Sequence, residues 1–249
     1  MSSHNRCGLC HVEIKNLSVK DGKDVLLENV NLTLSCGELT ALIGKNGAGK
    51  TTLIRSILGE RHYTGNISYT NRKGCTLHNP KIGYVPQNLL FDKSSPVSVL
   101  DFFFSCIRKR PVWLGHKSDD IKYAKEKLSA LKCEDIIYRR LGDLSGGELQ
   151  RLMLCVAIEP MPDILILDEP VSGVDNTGLE IFYNTVTSIR DEFHIPILLV
   201  SHDLGLIGKY ADSVVFLDKT IIKQGSAKEV FSCEEFKKAF SLNILEVTR

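Results

Sequence analysis

Apolar and polar positions change period several times along the chain. Residues 12–19 alternate and predict a strand, and 25–34 form a second β segment after the turn-forming Asp21, Gly22, Lys23 and Asp24. Residues 39–43 are short, apolar and β-prone, and 53–58 predict a helix stopped by Gly59. A short strand is expected at 66–69, a polar loop at 71–80, and a strand from 81 that ends at Pro86 and Gln87. From 88 to 143 the texture becomes helical. Residues 96–107 are apolar and aromatic, and 118–132 place Ile121, Ala124, Leu128 and Leu131 on one face, with Asp119 and Asp120 at the favourable end of the helix dipole. A helix over 149–158 follows. Then come an apolar strand over 163–168, a helix over 176–193, an apolar strand over 195–201, and a helix capped by Asp203. A hairpin over Asp218 and Lys219 joins 214–217 to 220–223, and a last helical segment spans about 227–240. Strands alternating with helices predict an α/β domain whose ligands gather at strand ends.

The stretch Gly44, Lys45, Asn46, Gly47, Ala48, Gly49, Lys50, Thr51, Thr52 lies between strand and helix and fits G-x-x-x-x-G-K-[ST]. Small residues let backbone N–H groups turn inward onto phosphate oxygens, and the helix start adds a favourable dipole. Lys50 would place its charge on the β- and γ-phosphates, and Thr51 would offer a hydroxyl to Mg²⁺.

Composition narrows the class. The chain has 249 residues, 43% apolar and 24% charged, enough for a large core, and its net charge of +1 argues against a general nucleic-acid or anionic-membrane binder. No signal peptide or membrane-spanning stretch is evident, which predicts a cytosolic protein able to sit on a membrane partner. Cys36, Cys75, Cys106, Cys133, Cys155 and Cys233 read as isolated reduced thiols. Cys7, Cys10 and His11 spell a haem-attachment string, but the default expectation for residues 1–10 is a solvated tail.

Three further stretches carry chemistry. Asp168 and Glu169 close an apolar strand, where Asp168 can hold Mg²⁺ and Glu169 can polarise the attacking water. Ser145, Gly146, Gly147 and Glu148 open a helix and form a second anion cradle. Alone, that stretch reads better as a capped helix after a flexible turn. One ATP hardly needs both cradles from one subunit, so a head-to-tail dimer is expected, each Ser145 turn covering the ATP on the other copy's Lys50 loop. Gln87 and His202 stand at strand ends, from which they can reach Mg²⁺ or the γ-phosphate.

Together these residues resemble the ATPase subunit of ABC transporters, over roughly residues 12–232. The resemblance makes 44–52 the Walker A loop, 164–168 the Walker B strand, Glu169 the catalytic glutamate, Gln87 the Q-loop, Leu144 to Glu148 the signature motif, Ser172 to Asp175 the D-loop and His202 the switch histidine. Glu148 stands where glutamine is commoner. The texture around Ile82–Gln87, Phe91, Asp92 and Gly173, Val174, Asp175 is similar to the zinc and manganese uptake branch. One departure is that Lys20 or Asp21 occupies the place of the aromatic residue that stacks on adenine; Tyr63 and Tyr69 are near in sequence.

The resemblance implies a single P-loop NTPase domain of the ABC nucleotide-binding type over 1–249. Its ATP-binding core would be 12–87 and 150–225, with an antiparallel β region near the N-terminus, a helical subdomain inserted at 88–149 and a C-terminal helical segment at 226–249. It implies ATP and Mg²⁺ as cofactors, with Glu169, His202, Gln87 and Lys50 catalytic. Residues 44–52, the Ser145–Glu148 turn and Asp175 would bind nucleotide, and Thr51, Gln87 and Asp168 would hold the metal. It implies a homodimer on the cytoplasmic face of the membrane, permease subunits, an extracytoplasmic substrate-binding protein, no nucleic acid, and import of zinc or manganese. An importer for iron chelates, a soluble ABC protein acting on DNA or ribosomes, and a non-hydrolysing scaffold are the alternatives.

Overall fold

The computed structural model describes residues 9–71, 73–87, 94–107, 115–170 and 176–240. Asp175 with the rest of the D-loop stretch, Phe91, Asp92 and Cys7 lie outside them. Two sheets form the frame. The first is antiparallel, ordered β2-β1-β4, from β1 (His11–Asp21), β2 (Asp24–Ser35) and β4 (Thr64–Thr70). The second is ordered β5-β6-β7-β3-β8-β9, from β3 (Leu39–Ile43), β5 (Ile82–Val85), β6 (Ile164–Asp168), β7 (Ile197–Val200), β8 (Ser213–Asp218) and β9 (Thr220–Gly225). Its strands run parallel except for the β8–β9 hairpin. β3 lies inside the sheet, with Leu42 opposite Val200 on one side and Val215 on the other.

Every residue of β3, β6 and β7 is buried, as expected of parallel strands covered on both faces. Side-chain alternation sorts these strands into two layers. Ile164, Ile166, Leu198, Val200, Val215 and Leu217 pack toward the antiparallel sheet and α1 (Lys50–Ile57). Leu165, Leu167, Ile197 and Leu199 face the other way, into a cluster with Val99 and Phe103 of α2 (Val99–Ile107), Ala124 and Leu128 of α3 (Ser118–Ser129), Leu152 and Leu154 of α4 (Gly146–Ala157), and Phe182 and Val186 of α5 (Asn176–Phe193). The helical block thus shares its core with the sheet. Fully burying a side chain the size of Phe103 contributes about 1.5–3 kcal/mol. Ala41, Ile43, Val214 and Phe216 meet a third cluster under α6 (Leu204–Tyr210), α7 (Ala227–Ser232) and α8 (Glu234–Phe240).

Several elements differ from expectation for local reasons. The segment over 227–240 is two helices, because Cys233 takes an extended backbone (φ −69, ψ 149). The helix expected over 118–132 ends at Ser129, and Lys132 lies in the left-handed region at φ +54. α1 starts earlier than expected, at Lys50, so the last residues of the phosphate-loop motif are helical, and α4 opens at Gly146 behind its Ser145 cap. Residues 9 and 10 are not a solvated tail: Leu9 is buried, and Cys10 N donates to Thr70 O at 2.7 Å. Cys36 is not isolated either, since its Sγ lies 3.9 Å from Cys10 Sγ. Among the described residues no helix is long and apolar enough to cross a membrane.

Candidate functional site

The phosphate loop leaves the C-terminal end of β3 and turns into α1. Two glycines permit the path. Gly49, the α1 N-cap, has φ +99, and a Cβ there would meet Leu27 Cδ2 at 2.5 Å and Leu26 O at 2.9 Å. A Cβ on Gly44 would lie 2.3 Å from Leu217 O. The close packing that requires glycine also anchors the loop. Lys219, at the tip of the β8–β9 hairpin, donates its N–H to Ala48 O and accepts from Glu28 N, both at 2.8 Å. Both sheets therefore hold the loop in place. No side chain caps α1, so the helix start retains donors and dipole for an anion.

A cavity of about 450 Å³ opens over this loop, lined by Leu26, residues 46–52, Gln87 and Glu169. Lys50 is buried, and its ammonium donates to Gly44 O at 2.8 Å and Lys45 O at 3.1 Å. Burial lowers the Lys50 pKa below its ordinary value, while Glu169 and Asp168 pull it back up.

β5, β6 and β7 bring the other groups to the same rim. Asp168 ends β6 beside Val200 of β7. Its pKa is raised, first by burial and then by the Glu169 charge, against the opposing Lys50 charge and a hydrogen bond from Tyr84. The Tyr84 hydroxyl is itself pushed up to about 12, by burial first and then by Asp168. Glu169 follows at φ +47, a left-handed backbone that an L residue rarely adopts. That turn aims its carboxylate between two partners: Gln87 Nε2 donates to Oε2 at 2.6 Å, and His202 Nε2 lies 2.8 Å from Oε1. A carboxylate so held can accept a proton from water, and the imidazole tautomer decides which way their shared proton lies.

Ser145, Gly146, Gly147 and Glu148 are not among the residues lining this cavity. They open α4, with Ser145 as N-cap in a reciprocal box with Glu148. Ser145 and Gly146 are exposed. The structure thus gathers Lys50, Gln87, Asp168, Glu169 and His202 and leaves the Ser145 turn elsewhere.

The sequence reading missed two contributors. Tyr84 bonds Asp168 from the neighbouring strand, a relation of register that the sequence does not display. Leu26 lines the cavity, whereas Asp21 is occupied with Arg61 at 2.7 Å and Tyr69 donates its hydroxyl to Ile57 O at 3.2 Å. No sequence signal marked Leu26; its place follows from its neighbour Leu27, the side chain that Gly49 packs against.

A phosphate loop leaving a central parallel strand, with a carboxylate pair at the end of another strand of the sheet, defines a phosphate-loop ATPase. The ABC transporter family model matches residues 27–172. The zinc import ATP-binding protein ZnuC 1 of Hahella chejuensis is 37% identical, covering 88% of this chain and 79% of its own. ZnuC of Buchnera aphidicola is 37% identical, covering 93% and 90%. Among solved structures, cbiO1 of Clostridium perfringens, part of the ABC transporter complex cbiONQ, superposes with a TM-score of 0.73 at 26% identity, covering 94% of this chain and 95% of its own. The chain belongs to the ABC transporter family and is an ATPase whose turnover is coupled to transport.

Proposed function

We propose that this ATPase powers uptake of a divalent metal ion, zinc or manganese, through membrane permease subunits. The observation that carries the chemistry is the Glu169 carboxylate, held by Gln87 and His202 at the rim of the cavity above Lys50. Lys50 leaves its loop carbonyls for the β- and γ-phosphates of ATP, and Glu169 takes the proton of the attacking water. His202 orients Glu169 and meets the γ-phosphate. Such proton transfer contributes on the order of 10²- to 10⁴-fold in rate.

Thr51, Gln87 and Asp168 offer hydroxyl, amide and carboxylate oxygens, a donor set that suits Mg²⁺. Held by those residues together with ATP, Mg²⁺ would supply charge neutralisation at the phosphates. Residues 44–52 hold the nucleotide, and Asp175 belongs to the same proposal through the resemblance alone.

Two copies sandwich two nucleotides, each Ser145 turn covering the phosphates on the other copy. The exposure of Ser145 and Gly146, away from their own chain's cavity, supports this. The dimer sits on the cytoplasmic face of the membrane against its permease, with an extracytoplasmic binding protein delivering cargo. The relatives named for zinc import support the metal. The cargo never meets this subunit, so its identity is tested in cells. Glu169→Gln should cut phosphate release from purified protein about 10²-fold or more, and cells carrying it should lose zinc or manganese selectively. Unchanged cellular metals alongside lost ATPase activity would overturn the cargo and leave the ATPase standing.

A further inference from the structure

The Ser145 turn carries an acid where a neutral amide would cap the helix as well. Glu148 Oε2 accepts from Ser145 N and from Ser145 Oγ, both at 2.8 Å, and Glu148 N donates back to Oγ at 3.4 Å. Glutamine can make the same return contact to the backbone. The acid adds two costs if, as the two-copy reading requires, a γ-phosphate is to sit on this turn. A carboxylate beside a polyphosphate is a like-charge contact. The carboxylate also holds the hydroxyl proton that Ser145 would offer to a phosphate oxygen.

The molecule places a counter-charge on this acid. Arg139 Nη1 lies 2.7 Å from Glu148 Oε1, and Nη2 donates to the Asp143 carbonyl. The Arg139 backbone is fixed on both sides: its N–H donates to Ile136 O at 2.8 Å, and its carbonyl accepts from Val99 N at 2.9 Å. The guanidinium is thus tethered to the start of α2 and reaches across to the α4 cap. Each oxygen of Glu148 has its own donor, one from Arg139 and the other from Ser145.

We propose that Arg139 is a positioning residue for phosphate capture by the Ser145 turn: from Oε1 it neutralises Glu148 and weakens the carboxylate as an acceptor at Oε2, so that the Ser145 hydroxyl proton can turn to the phosphate of a nucleotide bound on a second copy. The acid that Arg139 balances is an ionised one. Burial pushes the Glu148 carboxyl up, but the hydrogen bonds from Ser145 and the Arg139 charge outweigh it and leave the group below its ordinary value. Both side chains remain partly exposed, 43% for Arg139 and 22% for Glu148, so the pair can face a docking copy. This inference rests on the two-copy reading above.

The test is a double-mutant cycle in the full chain carrying Glu169→Gln, which holds ATP without turnover. Light scattering follows dimer formation against ATP concentration, and a fluorescent ATP analogue at low protein concentration follows binding to the single copy. Arg139→Ala should raise the ATP needed for half-dimerisation about tenfold, with analogue binding to the single copy changed less than about twofold. In a Glu148→Gln background the same Arg139→Ala change should cost less than about twofold. Arg139→Lys, which keeps the charge without the planar fork, should fall between wild type and alanine. An equal loss in both backgrounds marks a structural role and overturns the proposal, as does no loss in either. A parent that binds the analogue but never dimerises with ATP sinks the two-copy reading, and this inference falls with it.

Discussion

Two helices of this protein open on glycine-rich turns, and their first turns are finished in opposite ways. α1 starts at left-handed Gly49 with no side-chain cap. α4 starts at Ser145, closed by its own Glu148. An uncapped helix start keeps donors for a ligand, and a capped one spends part of them on itself. The α1 turn is also locked from behind by Leu217, Leu27 and Lys219. In the α4 turn Ser145 and Gly146 are exposed, and Arg139 bridges its Glu148 to the Asp143 carbonyl just before it. One is a preorganised floor. On the two-copy proposal, the other is a surface that gains its purpose from what docks on it.

The sharpest way to break this contrast is at the floor. Lys50→Ala should reduce phosphate release about 10²- to 10³-fold, the cost of losing one preorganised electrostatic partner; a rate within threefold of wild type would remove Lys50 from the chemistry. Gly49→Ala comes next. With φ +99 and a collision on Leu27, it should destabilise the fold by about 1–3 kcal/mol, read from denaturant midpoints. Ser145→Ala should cost only about 1 kcal/mol of stability as a lost cap, yet it should weaken ATP-driven dimerisation. If dimerisation is unaffected, the two turns are not complementary halves of one site.

The smallest effect has an unusual sign. The Asp168 pKa is raised by burial and by Glu169. A group raised on folding contributes its stability below the unfolded pKa and loses it as pH climbs through the folded value. At neutral pH the ionised Asp168 therefore burdens the empty protein. Asp168→Asn should raise Tm by about 2–4 °C without nucleotide, the size of a ~1 kcal/mol change in a chain of this length. The gain should vanish as pH falls below the ordinary carboxylate range, where wild-type Asp168 is protonated as well. A Tm that drops at neutral pH would show that the charge is held favourably.

Much of this was legible from pattern. The phosphate loop declares itself because its chemistry is local: small residues, one lysine and one threonine in consecutive positions. The Asp168–Glu169 strand end was legible for the same reason. What pattern did not show is adjacency between strands far apart in the chain. Gln87, Glu169 and His202 each stood at a strand end, but their meeting at 2.6 and 2.8 Å depends on the order β5-β6-β7, which no single segment carries. Tyr84 was hidden by the same topology. The break at Cys233 was missed because apolar spacing runs through it from Val230 to Phe236, and only the extended backbone of Cys233 divides the helix. Arg139 gave no signal of its own; the cue was the acid at Glu148.

With Glu169 as the proposed proton acceptor, its backbone sets heat tolerance against turnover. An L residue held at φ +47 carries a penalty of roughly 1–2 kcal/mol that glycine escapes. A library of this chain screened for survival after heating, with no demand on transport, would drift toward Glu169→Gly. Keeping the acid there lowers the durability of this chain.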